Sequence, residues 1–247
     1  MSRVIALVSG AEAREFDTDL PYLSRALGDR GIITEIVDWD NASTDWSRYS
    51  MAIVRSPWDY HRRYPEFLAW LDSVSTATTL QNSADIIRWN TNKEYLTELV
   101  DAQIGVIPTT FVRSAEDLVT ITNEGMLERD IVVKPTISAG SNNTERHEES
   151  PVKAAAHLGF LLDAGFVAIV QPYQRFIDER GETGMVYFNG QLSHSFRKGA
   201  ILATGENAKN GLFTVEEITP RTASGQEREL GETVMTFVKK KFGEYPL

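Results

Sequence analysis

The 247-residue sequence contains no cysteine, which excludes disulfide bonds, thiolate metal ligands and a cysteine nucleophile. No apolar run approaches the roughly 20 residues that a membrane-spanning helix needs. Positive charge is also scarce, because 25 lysines and arginines face 35 acidic residues, for a formal net charge of −10. Such a surface repels nucleic acid and anionic lipid. We therefore expect neither a nucleic-acid partner nor a membrane partner.

Two glycine-rich nucleotide-binding motifs are missing as well. The loop after the first apolar run, at residues 9–12, does not fit G-x-G-x-x-G, and G-x-x-x-x-G-K-[ST] occurs nowhere in the chain. Both absences disfavour Rossmann dehydrogenases and P-loop nucleoside triphosphatases. The opening MSRVIALVSG has a short apolar run followed by acidic residues. It favours a first β-strand over a secretory signal, and we expect a cytoplasmic protein.

The first third of the chain alternates short apolar runs with helical spacing. The apolar runs lie at residues 4–8, 32–37 and 51–54, and residues 20–28 between the first two have helical spacing. Short strands separated by helices are typical of a parallel sheet with helices packed on its faces. The sequence therefore predicts an α/β amino-terminal part.

The second part of the chain has a different pattern. A boundary between about residues 81 and 89 divides a predicted parallel α/β domain, 1–85, from a predicted α+β domain, 86–247. In the latter, Asn189-Gly190 separates two apolar runs, and this dipeptide is the strongest short signal for a β-hairpin. Antiparallel hairpins flanked by helices predict an α+β architecture here.

Lys134 is the first candidate for a functional residue. It ends an apolar strand and precedes small and hydroxyl-bearing residues at 136–143. Such a run can expose backbone N–H groups to a phosphate, and the lysine supplies positive charge. Taken alone, the run is more often a flexible surface loop. We expect the Lys134 side chain to be exposed at the mouth of a site.

Three other features are ambiguous when taken singly. Lys93 would be a solvated lysine on a helix covering residues 92–100. Gln171-Pro172-Tyr173 follows a strand and precedes several acids, so it could offer backbone hydrogen bonds to a base and a carboxylate to a ribose. Acidic loops are, however, commonly only solvated. Arg197 ends the second hairpin strand and could simply face water.

In this order, the features resemble the ATP-grasp superfamily. Seven strings resemble its glutathione-synthetase-like branch: RSPWDY (55–60), WNTNKEYL (89–96), VKP (133–135), QPY (171–173), GE (181–182), FNG (188–190) and SHSFRK (193–198). That branch includes the cyclo-ligases that form cycloserine from O-ureido-serine. The resemblance covers the whole chain.

The resemblance implies an ATP-grasp fold in which ATP lies between two α+β lobes of the second domain. It implies nucleotide contacts at Lys93 and Lys134 (phosphates), Ser138, Gly140 and Ser141 (covering loop), Gln171 and Tyr173 (adenine), and Asp178 (ribose, with Glu179 as a rival). It also implies a catalytic role for Arg197 beside the transferred phosphoryl group, where charge stabilisation matters most.

The resemblance further places an amino-acid-like substrate at Arg55, Trp58 and Asp59. It implies Mg²⁺ as a second cofactor beside ATP. The Mg²⁺ ligands of this superfamily come from strands after a long helix, which here spans roughly residues 224–241. Those strands would begin where the chain reaches Leu247, so we expect them to be missing and assign no metal ligand.

The implied activity is that of an ATP-dependent carboxylate–amine ligase. The carboxylate of a small amino acid would be activated as an acyl phosphate and captured by an amine. The specific expectation is cyclisation of O-ureido-D-serine to D-cycloserine, an antibiotic. Intermolecular peptide-type ligation and a non-catalytic nucleotide-binding remnant are the alternatives, and a homodimer is also considered.

Overall fold

A computed structural model describes residues 4–200, 202 and 217–246. Residues 4–90 form one compact unit, and residues 91–245 form the other. Residues 1–3, at the start of the MSRVIALVSG run, lie outside the described residues. So does Leu247. The domain boundary at residue 85 stays a prediction.

The first unit is built around a parallel sheet, as the alternating pattern predicted. Its elements are strands β1 (Val4–Ser9), β2 (Ile33–Asp38), β3 (Met51–Ser56) and β4 (Leu80–Gln81), and helices α1 (Leu20–Gly28), α2 (Tyr64–Ala77) and α3 (Ala84–Thr91). The strand order is β2-β1-β3-β4, and every pair is parallel. The carboxyl ends of β1 and β3 therefore meet at one edge of the sheet.

Aromatic side chains fill the core of this unit. Helix α2 buries Phe67, Trp70, Leu71 and Val74, which follow one another at the three- and four-residue spacing of a single helix face. The Phe67 ring stacks on Trp70 and meets the edge of Trp39, with centroids 5.4 Å apart in both pairs. Because Leu71 is fully buried among these residues, its volume supports the whole cluster.

The second unit contains two antiparallel sheets. Its strands are β5 (Thr110–Val112), β6 (Ile131–Pro135), β7 (Glu145–His147), β8 (Ala168–Pro172), β9 (Glu182–Phe188), β10 (Gln191–Lys198) and β11 (Ile218–Pro220). Its helices are α4 (Tyr95–Asp101), α5 (Ala115–Asn123), α6 (Pro151–Asp163), α7 (Phe176–Arg180) and α8 (Gly225–Phe242). The sheet orders are β5-β8-β6-β7 and β11-β10-β9. This pair of sheets gives the predicted α+β character.

The predicted hairpin is confirmed. Strands β9 and β10 pair antiparallel around Asn189 and Gly190, whose φ angles are +49° and +77°. Two successive positive φ angles are those of a type I′ turn, which matches the twist of the flanking strands. The long helix is also present, as α8, with Ser224 and Glu227 forming a reciprocal cap at its first turn.

One local prediction was wrong. Lys93 does not lie on a helix, because α3 ends at Thr91 and α4 begins only at Tyr95. The Lys93 N–H instead donates to the Thr136 carbonyl at 3.0 Å, a tertiary hydrogen bond that helical spacing does not reveal. Asp178, for which the sequence predicted no helix or strand, belongs to helix α7. Within the described ranges, no helix is long and apolar enough to cross a membrane.

The substitution Leu71→Ala tests the core of the first unit. We expect it to lower the free energy of unfolding by about 2–5 kcal/mol, because it removes transfer energy and leaves a cavity. All five tryptophans precede residue 91, so urea unfolding followed by tryptophan fluorescence reports on this unit. Leu230→Ala, at a 44% exposed position on α8, is the matched control. Equal midpoints for the two variants would contradict the packing described here.

Candidate active site

The second unit contains a cavity of about 270 Å³ between strand ends and loops. Seven of the eight positions implied for the nucleotide line it: Lys93, Lys134, Ser138, Gly140, Ser141, Gln171 and Tyr173. The eighth, Asp178, does not belong to the lining. Residues from three separate segments of the chain thus converge on one space.

Lys93 occupies one wall of this cavity. Its Nζ donates to the carbonyl oxygens of Thr136 and Ser138, at 3.2 and 3.3 Å, and lies 3.0 Å from the Ser138 hydroxyl. Burial, followed by the charge of Lys134, lowers the pKa of Lys93 from 10.5 to about 8. Burial removes the water that would stabilise the protonated amine, and the charge of Lys134 repels it, so both effects favour the neutral form.

Lys134 lies on β6 and is half-buried, which corrects the expectation of an exposed side chain. Burial lowers the pKa of Lys134, and the charge of Glu182 opposes that effect. Glu182 is the one carboxylate among the described residues that line the cavity. Two lysines against a single carboxylate leave a local excess of positive charge. The cavity is therefore suited to an anion.

The small-residue loop closes one side of the cavity. Gly140 and Ser141 both have φ of +58°, and Asn143 has φ of +52°. Backbone hydrogen bonds fold the loop on itself, from Asn142 N–H to the Ala139 carbonyl and from Thr144 N–H to the Ser141 carbonyl, both at 3.1 Å. Glycine and asparagine tolerate such angles better than bulkier residues do. The small residues and asparagines of this loop therefore suit its positive φ angles.

Gln171 and Tyr173 also line the cavity. The buried Gln171 side chain donates from Nε2 to the Thr109 hydroxyl at 2.8 Å. The Tyr173 N–H donates to the Asp130 carbonyl at 2.9 Å. These two donors are therefore already engaged within the protein. Any base that enters must find its hydrogen bonds at other groups of this segment.

The Tyr173 ring is held by charged neighbours that the sequence did not indicate. The Arg146 guanidinium lies over the ring, 3.6 Å from its centroid, and makes two parallel hydrogen bonds to Asp130 at 2.9 and 2.8 Å. The Arg146 hydrogen bonds hold the pKa of Asp130 below its usual range. The Tyr173 hydroxyl donates to Asp178. Burial and this hydrogen bond raise the pKa of Tyr173 to about 12. Asp178 thus fixes the tyrosine without lining the cavity.

Glu182 reaches the cavity because the chain turns sharply at Gly181. Gly181 has φ of +66°, and a Cβ there would lie 2.2 Å from the Lys198 carbonyl oxygen. Only glycine fits such a position, which ends α7 and begins β9 at Glu182. The string Gly181-Glu182 was visible in the sequence, but its acid was not chosen as a site residue.

Arg197 lies outside the described lining of the cavity. Its Nε donates to the Arg180 carbonyl at 3.0 Å, and its Nη1 lies 3.3 Å from a Glu217 carboxylate oxygen. The arginine is thereby attached to the end of α7, directly before Gly181 and Glu182. Its role beside a transferred phosphoryl group stays a prediction.

The first unit places the three expected substrate residues after β3 or at its end. Arg55 bonds Asp17 at 3.1 Å and Asp19 at 2.6 Å. Asp17 is buried, and its Oδ2 finds no hydrogen-bond partner among the described residues. Trp58 is half-buried. Both oxygens of Asp59 are engaged, with Trp39 and Arg63 at 3.0 Å each.

Two buried histidines adjoin the end of the small-residue loop. His147 lies on β7 and His157 on α6, and the His157 ring hydrogen-bonds the backbone of Asn143. Burial lowers the pKa of both imidazoles, and the Glu145 carboxylate opposes this effect. No pattern in the sequence had brought these residues together.

A comparison with solved structures identifies the fold. The ATP-grasp ligase PsnB, solved with a minimal precursor, Mg and ADP, superposes with a TM-score of 0.59 at 15% identity, covering 99% of this chain and 82% of that one. At this identity the likeness concerns the fold alone. The chain has the ATP-grasp fold, which confirms the fold class expected from the sequence.

A narrower relationship is visible in closer relatives. The model of the D-cycloserine synthetase DcsG amino-terminal domain matches residues 5–82. The chain is 36% identical over 204 residues to the cycloserine biosynthesis protein DcsG of Streptomyces lavendulae, covering 81% of this chain and 68% of that protein. The crystal structure of D-cycloserine synthetase DcsG superposes with a TM-score of 0.87 at 32% identity, over 97% of this chain and 82% of that one. The chain therefore belongs to the DcsG family of ATP-grasp ligases, as the resemblance indicated.

The lowered pKa of Lys93 predicts that ATP binding takes up protons. A polyphosphate beside Lys93 favours its charged form, so binding should raise the pKa of Lys93 from about 8. Affinity should then fall as pH rises through that value, since more of the free protein must acquire a proton. Calorimetric titration at pH near 8, in two buffers of different ionisation enthalpy, measures the uptake. Lys93→Gln should abolish most of it and Lys240→Gln should not; equal uptake by both variants would contradict this assignment.

Proposed function

We propose that the chain is an ATP-dependent ligase that joins a carboxylate and an amine within one small amino-acid molecule, forming D-cycloserine from O-ureido-D-serine. The observation that carries the proposal is the pair of desolvated lysines at a cavity with a single carboxylate. Membership of the DcsG family supports the ring-forming reaction over ligation between two molecules.

The nucleotide would lie in the cavity of the second unit. Lys93 and Lys134 would contact its phosphates, and Ser138, Gly140 and Ser141 would cover them. Each lysine gains an anionic partner in exchange for the water it has lost, so the contact is charge-assisted. The base would stack near Tyr173, whose ring Arg146 already holds from the other side.

Glu182 is the better candidate for the ribose acid. It lines the cavity, whereas Asp178 bonds the Tyr173 hydroxyl. We therefore reassign the ribose contact from Asp178 to Glu182. Asp178 instead acts as a positioning residue, since it fixes the orientation of the tyrosine.

The proposed reaction has three steps. A substrate carboxylate oxygen attacks the terminal phosphorus of ATP, and the bond to ADP breaks, giving an acyl phosphate. The ureido nitrogen bonded to the side-chain oxygen then attacks the acyl carbon, loses a proton and expels inorganic phosphate, which closes the ring. Water finally cleaves the carbamoyl group from that nitrogen; the group leaves as carbon dioxide and ammonia, and the product is D-cycloserine. Arg197 would stabilise the negative charge of the transferred group.

The substrate would bind at the carboxyl end of the parallel sheet, where open α/β sheets take their ligands. Arg55 and Trp58 are candidates there. Asp17 joins them, because its buried Oδ2 would accept a hydrogen bond from a substrate N–H. Asp59 serves a positioning role, since Trp39 and Arg63 occupy both of its oxygens.

The described residues do not fit the expected Mg²⁺. Mg²⁺ prefers an octahedron of oxygen ligands that includes one or two carboxylates. Within the described part of the cavity, Glu182 is the one carboxylate, and it lies where it interacts with Lys134. We therefore assign no metal ligand and derive no step through the ion.

The direct test is incubation of the chain with ATP, Mg²⁺ and O-ureido-D-serine. We expect ADP release that depends on this amino acid, together with D-cycloserine identified by mass spectrometry and chiral chromatography. ADP release only when a second amino acid is added would favour intermolecular ligation. If the chain binds ATP but no amino acid provokes ADP release, a nucleotide-binding protein without ligase activity is the correct description.

Lys134→Ala tests the phosphate contact. A charge-assisted contact contributes about 1.5–3 kcal/mol, so ATP affinity should fall by about ten- to a hundredfold. Calorimetric titration of ATP measures the loss, and thermal melting shows that the variant is folded. Lys240→Ala, at an exposed position on α8, is the control. An unchanged affinity in folded Lys134→Ala would remove this lysine from the site.

A further inference from the structure

Three potential metal ligands converge beside the small-residue loop. Glu145 and His147 lie two positions apart on β7, so their side chains share one face of the strand. His157 lies on α6, which packs against β7. The ligand atoms of the three residues all lie within 4.8 Å of one another.

The spacing of these atoms suits a small cation. His147 Nε2 lies 3.2 Å from His157 Nδ1, and Glu145 Oε2 lies 3.7 and 3.9 Å from the two nitrogens respectively. The nearest point equidistant from all three atoms lies in their plane, about 2.1 Å from each, and a tetrahedral ion slightly out of that plane would be about 2.2 Å from each. Both distances are within about 0.2 Å of zinc–nitrogen and zinc–oxygen bond lengths.

The surroundings also match those of a metal centre. The side chains of His147 and His157 are only 5% and 6% exposed, whereas that of Glu145 is 34% exposed and leaves a path from solvent. The His157 ring additionally hydrogen-bonds the Asn143 backbone. A hydrogen bond from the remaining ring nitrogen to a fixed group commonly orients a ligating histidine.

We infer that Glu145, His147 and His157 form a binding site for a divalent transition-metal ion, separate from the nucleotide cavity. Two imidazoles and one carboxylate are the ligand set of Zn²⁺ and its neighbours in the first transition row, whereas Mg²⁺ and Ca²⁺ prefer oxygen ligands. Zn²⁺ fits best, since three protein ligands leave a fourth tetrahedral position for water.

The site would join two elements to the loop over the nucleotide. β7 follows the small-residue loop directly, and His157 contacts Asn143 within that loop. A bound ion would therefore fix the carboxyl end of the loop against α6. This expectation requires only the geometry of the second unit and does not depend on which amino acid the chain ligates.

The test uses the whole chain, first stripped with a chelator. Titration with Zn²⁺ against a competing indicator should give one tight site per chain, and one equivalent of Co²⁺ should produce the visible absorption of a tetrahedral centre. His157→Gln should weaken Zn²⁺ binding by more than about 100-fold, beyond the loss caused by a residue that only supports a ligand.

His194→Gln and Glu148→Gln are the matched controls, because both positions are exposed and lie outside the cluster. They should bind Zn²⁺ like the unaltered chain. If His157→Gln fails to fold by circular dichroism, Glu145→Gln at the partly exposed ligand takes its place. The inference is overturned if the unaltered chain gives no tetrahedral Co²⁺ spectrum, or if folded His157→Gln or Glu145→Gln binds Zn²⁺ as tightly as the controls.

Discussion

The desolvation of two like charges governs the candidate active site. Lys93 and Lys134 have both lost water, and only Glu182 opposes them among the described groups lining the cavity. Placing two partly dehydrated ammonium groups together is unfavourable until an anion arrives. The protein holds them there by structural means: a tertiary bond from the Lys93 N–H and a position on a paired strand for Lys134. Under the proposed function, the phosphates of the nucleotide would offset the cost of this arrangement.

The pairing of β6 with β8 explains how one sheet serves both the core and the site. Val132 lies opposite Gln171 and Lys134 opposite Ile169, so Val132, Lys134 and Gln171 lie on the same face. That face carries the cavity. Val133 and Val170, also opposite each other, lie on the reverse face within the hydrophobic core under α6. Because side chains alternate between the two faces of β6 and β8, one face packs in the core and the other lines the cavity. The close packing of the core restricts the movement of the strand that carries Lys134.

Features that are local in sequence were predictable, and features that depend on tertiary contacts were not. The parallel sheet, the Asn189-Gly190 hairpin and the strand-end Lys134 with its small-residue loop each follow from a few neighbouring residues. The Arg146–Asp130 pair joins a residue of β7 to the residue just before β6, 16 positions away, and no periodicity in the sequence predicts it. The position of Lys93 was misjudged for the same reason, because its turn is fixed by the distant Thr136. Similarly, nothing in the sequence around the acidic residues after Tyr173 predicts that Asp178 accepts a hydrogen bond from the Tyr173 hydroxyl.

Gly181 has a consequence for how such proteins can diverge. Every other amino acid carries a Cβ, and at this position that atom would collide with the backbone of the neighbouring strand rather than with a movable side chain. A missense change at this codon cannot be absorbed by repacking; it must displace the start of β9. Because Glu182 is the next residue, the displacement would be passed to the cavity lining. The positive φ angle at Gly181 thus restricts the choice of amino acid at position 181 more strictly than the chemistry of Glu182 restricts the choice at position 182.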